Sequence, residues 1–166
     1  MKSLSIAVEY GATAPQARRD PLESPLQTPS GEWVLLTGSH RGERLIRLRA
    51  RDLGEARQRY EGIKLGDPRA VVLLDIYGYS ADSWRQAFDA YRQINPQWKP
   101  GGVFDTITYV GSHSGLVGLI EDVHAAGVAD GVTVQGPDDW LQAFHRDTLK
   151  PWLATKAGPV RELVAS

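Results

Sequence analysis

The side chains best suited to chemistry in this chain are one acid, two histidines, two tyrosines and a glycine–serine step. Asp75 interrupts the apolar run AVVLLDIY at 70–77. A carboxylate near the carboxyl end of a buried strand points into a site or toward a partner such as an arginine, because an unpaired buried charge is too costly. Tyr77 and Tyr79 follow it and line a ligand pocket or pack as core aromatics. Gly111-Ser112 precedes a helical pattern, where free amides and the helix dipole can hold a phosphate. The alternative is a capped turn, which every strand-to-helix unit requires. His113, beside that step, contacts an anion or substrate or is a solvent-exposed histidine. His40, between Ser39 and Arg41, completes a small anion site or sits in a polar turn. The stretch Gly111-Ser112-His113-Ser114-Gly115 has the glycines of an esterase elbow but a histidine where the nucleophilic serine must stand. His124 and His145 lie in helical patterns as surface or structural residues. The four histidines show no HExxH-like spacing, so no metal is expected.

These residues are carried by alternating strands and helices. Leu4, Ile6 and Val8 alternate as in a half-buried strand. Segment 11–31 holds Pro15, Pro21, Pro25 and Pro29, a density that blocks helix and marks a long loop or arm. Trp33–Leu36 is a short strand, and Leu45–Arg49 is another; they pair as a hairpin across 38–42 or run as separate parallel strands. Asp52 caps a helix whose stripe is Leu53, Ala56, Tyr60 and Ile63, stopped by Gly66-Asp67-Pro68. Segment 70–77 fits a strand covered on both faces. Ser80 or Asp82 caps the next helix, with Trp84, Ala87, Phe88, Tyr91 and Ile94. A strand ending in a glycine turn at Gly111 leads to a helix capped by Ser112 or Ser114, with Leu116, Leu119, Ile120 and Val123 as its buried face. Gly131–Val134 is a strand expected to lie parallel to the one before it. A last helix begins at Pro137-Asp138-Asp139, and Pro151 is expected to kink or divide it.

Composition sets the bounds. The chain has 166 residues, 42% of them hydrophobic and 23% charged, with a net charge of −1. That is ordinary globular composition for one domain, with no electrostatic reason to expect nucleic acid or an anionic membrane surface as partner. No apolar run approaches the roughly 20 residues of a membrane span, and the amino terminus lacks the long apolar centre of a signal peptide. With no cysteine there is no disulfide or thiolate site, and a cytoplasmic location is the default expectation.

The carboxy-terminal half resembles the luciferase-like flavin-dependent monooxygenases, the family of bacterial luciferase and the alkanesulfonate monooxygenases. The residues that carry this are Thr108-Tyr109-Val110-Gly111-Ser112, then Leu116 to Val123, then Ala125-Ala126-Gly127-Val128-Ala129-Asp130-Gly131-Val132-Thr133. The ending Leu149-Lys150-Pro151-Trp152-Leu153 is similar to the family's own. The resemblance implies a (β/α)₈ barrel, but such barrels need roughly 200–250 residues. The expectation is therefore an α/β fold, a partial, half TIM-barrel of parallel βα units over 44–166, completed by a homodimer or a partner subunit. Residues 1–43 add an amino-terminal strand, the proline-rich arm and a hairpin strand. The same resemblance implies FMN or a deazaflavin at the carboxyl ends of the strands, with Tyr109, Gly111, Ser112 and Tyr77 as cofactor-binding residues and a small organic substrate beside it. His40, His113 and Asp75 are the catalytic candidates. Because the family's amino-terminal half has no counterpart here, the alternative is a non-catalytic relative that binds flavin or a lipophile, or serves as a partner subunit.

Overall fold

The computed structural model describes residues 4–15, 32–38, 43–102 and 104–156. Within them lie six strands: β1 (Ser5–Tyr10), β2 (Glu32–Thr37), β3 (Leu45–Leu48), β4 (Val71–Ala81), β5 (Ile107–Ser112) and β6 (Gly131–Gln135). The helices are α1 (Leu53–Gly66), α2 (Trp84–Ile94), α3 (His113–Ala125) and α4 (Asp138–Phe144). One sheet runs β2-β1-β6-β4-β3, parallel throughout except for β2, which pairs antiparallel with β1. The protein is thus a mixed α/β chain with a mostly parallel sheet.

β4 is the axis of the sheet. Its first residues pair with β3, its last six with β5, and Leu73–Tyr77 pair with β6. Because the β6 register overlaps both others, β6 occupies one edge of β4, while β3 and β5 share the other. β5 and β6 are parallel, as the sequence suggests, but β4 lies between them. β2 and β3 end at opposite sides of the sheet, so they form no hairpin with each other. Each is held instead by an apolar partner strand, β1 or β4.

The crossovers are consistent with the right-handed rule for parallel strands. Stepping from β3 to β4 and from β5 to β6 moves the same way, and both connecting helices pack on one face. There Ala56, Leu116, Ile120 and Val123 meet Val72, Leu74, Ile76, Val132 and Val134, with Trp140, Leu141 and Phe144 from α4. Stepping from β4 to β5 moves the opposite way, and α2 packs on the other face, its Tyr91 against Tyr77 and Trp98.

The sheet curls around this second face. Trp33 and Leu35 of β2 and Leu45 of β3, from opposite sides of the sheet, pack on the same buried residues, Ala7, Val71 and Leu73. Arg47 of β3 reaches Glu9 of β1 at 2.8 Å, although a flat sheet would set those strands roughly 14 Å apart.

Local chemistry explains the element ends. The Asp52 side chain accepts from the Glu55 N–H at 2.8 Å, the expected cap of α1. The cap of α2 is Ser83, not Ser80 or Asp82, because β4 continues through Ser80 and Ala81. The last helix is not broken at Pro151. It passes through a π-helical stretch, His145–Leu149, and continues over residues 150–156. Proline brings no N–H and its ring crowds the carbonyl four residues back, and one wider turn just before it accommodates both. No helix among the described residues is long and apolar enough to cross a membrane.

Candidate functional site

Three layers fill the curled face along β4. Leu73 lies in the apolar layer, Asp75 in a charged one, and Tyr77 in an aromatic one toward the carboxyl end. Asp75 sits mid-strand rather than near the strand's end, because β4 runs four residues past Tyr77. Its carboxylate accepts from the Arg47 Nη2 at 3.0 Å and the Nε at 3.3 Å. Arg47 also grips Glu9 through two bonds of 2.8 and 2.9 Å, and the Gln135 amide donates to Glu9 at 2.6 Å. All four residues are buried. Burial pushes the Asp75 carboxyl up to about 6; Arg47 opposes the rise and Glu9 adds to it. Asp75 is therefore a member of a buried ionic network joining β1, β3, β4 and β6. Sequence periodicity places Arg47 and Glu9 on strands, but only the curl brings them together.

Tyr77 is 4% exposed beneath α2 and packs with Tyr91 and Trp98. Burial raises its hydroxyl pKa, with Tyr91 and Asp138 adding to the rise.

Gly111 is not a turn: β5 runs through Ser112 and enters α3 without a loop, and Ser112 is the cap, accepting from the Gly115 N–H at 3.1 Å. The ring of Tyr109 lies over the two glycines. A Cβ on Gly115 would stand 2.0 Å from its hydroxyl oxygen and one on Gly111 2.6 Å, and that hydroxyl donates to the Ser112 carbonyl at 2.9 Å. The glycine spacing makes room for a tyrosine. The cap thus takes one amide of the first turn and the tyrosine ring fills the notch beside it, at the residues expected to hold a flavin phosphate.

His113 opens α3, and its Nδ1 lies 2.7 Å from the Ser80 Oγ, while Nε2 lies 3.7 Å from Asp82. A serine, a histidine and an acid thus meet, though not as a hydrolytic triad. Ser80 is 4% exposed, the acid is beyond hydrogen-bond reach, and the serine oxygen also accepts from the Trp140 Nε1 at 3.2 Å. Trp140 donates to the Ser80 carbonyl as well, at 2.9 Å. The cluster ties the end of β4 to α3 and α4. His40 lies outside the described residues.

Asp130, within the stretch that carries the family resemblance, works at the opposite end of the sheet. It accepts from the Val72 N–H at 2.9 Å and the Tyr60 hydroxyl at 2.8 Å, and pairs with Lys64 at 2.9 Å. Burial alone would raise its pKa, but those three donors together hold it below the usual carboxylate range. Burial, together with the hydrogen bond to Asp130 and its charge, pushes the Tyr60 hydroxyl up to about 12, and Lys64 opposes the rise.

An open cleft lies at the carboxyl ends of β1, β4 and β6. It has a volume of about 590 Å³ and is bounded by Gly11 after β1, Tyr79 on β4, Ile94 on α2, and Gly136 to Trp140 after β6. β4 exits to α2 on one face and β6 exits to α4 on the other. Adjacent strands whose connections part in this way open a crevice between their ends, the position at which ligands bind in open α/β sheets. Among the described residues Asp138 and Asp139 supply the charge of the cleft, and its lining contains no lysine, arginine or histidine. Asp138 accepts from the Gly11 N–H at 2.8 Å, tying the exit of β1 to α4. Tyr79 and Trp140 stand 6.0 Å apart by ring centroid, with Trp140 stacked on Phe144. In the sequence Pro137-Asp138-Asp139 reads as a helix start, and the signal for a site was its position directly after a strand. Among the described residues no group of three histidines, cysteines or acids is placed to hold a metal ion.

Compared with known proteins, the chain matches no family model and no curated protein.

Proposed function

We propose that the protein binds a small organic ligand in the cleft at the carboxyl ends of β1, β4 and β6, and does so without chemistry of its own. The observation that carries this reading is the position of the cleft where the connections of β4 and β6 diverge, with aromatic and apolar walls. Its two carboxylates, and a lining without cations among the described residues, favour an uncharged or amine-bearing ligand over a phosphorylated one. Kinship with the luciferase-like monooxygenases belongs to this proposal. What supports it is the wall of four parallel strands, β3, β4, β6 and β1, which curls as part of a barrel would. Within that kinship the non-catalytic, lipophile-binding form fits best. Among the described residues the ionisable groups bordering the cleft are Tyr79, Asp138 and Asp139, and Asp138 is spent on Gly11.

The test is a titration followed by tryptophan fluorescence, with Trp140→Phe as the control that removes the reporting ring. 1-Naphthylmethylamine is expected to bind about tenfold more tightly than 1-naphthoate, a difference of about 1.4 kcal/mol, and Asp139→Asn to narrow that gap. Lumiflavin, which lacks the phosphate, is expected to bind better than FMN. Tighter binding of FMN or naphthoate would overturn the reading.

A further inference from the structure

β5 uses one edge on β4 and pairs with no other strand among the described residues. Its second edge opens into a separate groove of about 410 Å³. The groove has two walls because β5 lies between two helical layers. Leu53 and Leu119, from α1 and α3, stand on one side. Phe88, Trp98 and Phe104, from α2 and the segment after it, stand on the other. A strand edge presents alternating N–H and C=O groups that require partners, and a slot walled on both faces admits something flat with apolar groups on each side. An extended peptide meets both demands.

A second observation points the same way. Thr106, just before β5, is 5% exposed and lines this groove, yet its hydroxyl has no hydrogen-bond partner among the described residues. A buried hydroxyl without a partner is uncommon and costs about 1–3 kcal/mol. The rim also has a sign. Lys99 makes it positive; Arg51 also borders the groove but pairs with Asp52 at 3.5 Å and Glu55 at 3.6 Å.

We propose that this slot receives a strand from a partner protein: an extended segment of β-branched residues, whose methyl groups meet both walls, with acidic flanking residues, added to the edge of β5. It is distinct from the ligand cleft at β1, β4 and β6 and does not depend on that reading.

The test uses the full chain and an acetylated decapeptide of four valine–threonine repeats followed by two aspartates, measured by calorimetry. Two further peptides are N-methylated, one on every valine and the other on every threonine. An added strand offers only alternate amides to β5, so in any register one methylated set is expected to lose about 30-fold or more in affinity and the other far less. Lys99→Glu, an exposed position, is expected to weaken the parent peptide about tenfold by reversing one rim charge. No binding at about 1 mM peptide, equal loss with both methylated sets, or no effect of Lys99→Glu would overturn the proposal. So would a dimer in sedimentation that the peptide cannot dissociate, since the slot would then belong to a second copy of this chain.

Discussion

At the scale of single residues, the buried Arg47 decides how the charged layer behaves. One guanidinium faces two carboxylates, and removing it would leave Glu9 and Asp75 buried against each other. Arg47→Leu is therefore expected to cost about 3–5 kcal/mol of stability, measured by urea unfolding, the usual penalty for breaking a buried pair from one side. Asp75→Asn tests the layer differently. The folded Asp75 holds its proton up to about pH 6, against an ordinary value of 3.8. Its contribution to stability is thus fully present below about pH 4 and is lost as pH rises through about 6. The asparagine variant should gain in melting temperature relative to the parent from about pH 4 to just above pH 6 and level off beyond; a difference that stays constant over that range, or moves the other way, contradicts the assignment. Of these residues the sequence made Asp75 legible and left open whether it faced a site or a partner such as an arginine; in the fold it pairs with Arg47. Arg47, Glu9 and Gln135 were not legible, because each comes from a different strand and only the strand order and curl set them on one face.

At the scale of elements, the strand–helix–strand unit β5–α3–β6 was legible from its apolar spacing and its serine cap. Its internal detail was not. Gly111 reads as a turn from sequence, whereas β5 continues through it because β4 is long enough to pair with it, Ser80 opposite Gly111. The glycines serve the Tyr109 ring, so Gly115→Ala is expected to destabilise by about 1–3 kcal/mol through overpacking, with Tyr109→Ala in the same chain relieving part of that loss. Calorimetric melting of the two variants checks this. At the other end of the sheet, Asp130→Ala would leave the Val72 N–H, Lys64 and the Tyr60 hydroxyl without their shared acceptor. A loss of about 3 kcal/mol is expected, and hydrogen exchange at the start of β4 should speed up with it. Gly131 shows why β6 can serve as the centre of this junction: a Cβ there would lie 1.8 Å from the Ser5 carbonyl oxygen, so the two strands meet this closely only at a glycine.

At the scale of the whole molecule, the α/β alternation and parallel strands were legible, while the sheet order was not. Periodicity says which segments are strands but not which lie side by side, and the reversal of direction at β5 is what puts α2 on the curled face. That reversal places Tyr77 under α2 and leaves the cleft between the ends of β4 and β6 open. It also moves the candidate site from the Gly111-Ser112 step to the exits of β1 and β6. The most direct measurement is amide chemical-shift mapping of the ¹⁵N-labelled protein as 1-naphthylmethylamine is added. If the cleft is the binding site, the shifts will concentrate at Gly11, Tyr79, Gly136 and Asp138 to Trp140, and the Gly111 to Gly115 amides will stay still. Shifts centred on Gly111 to Gly115, or none at all, would contradict it.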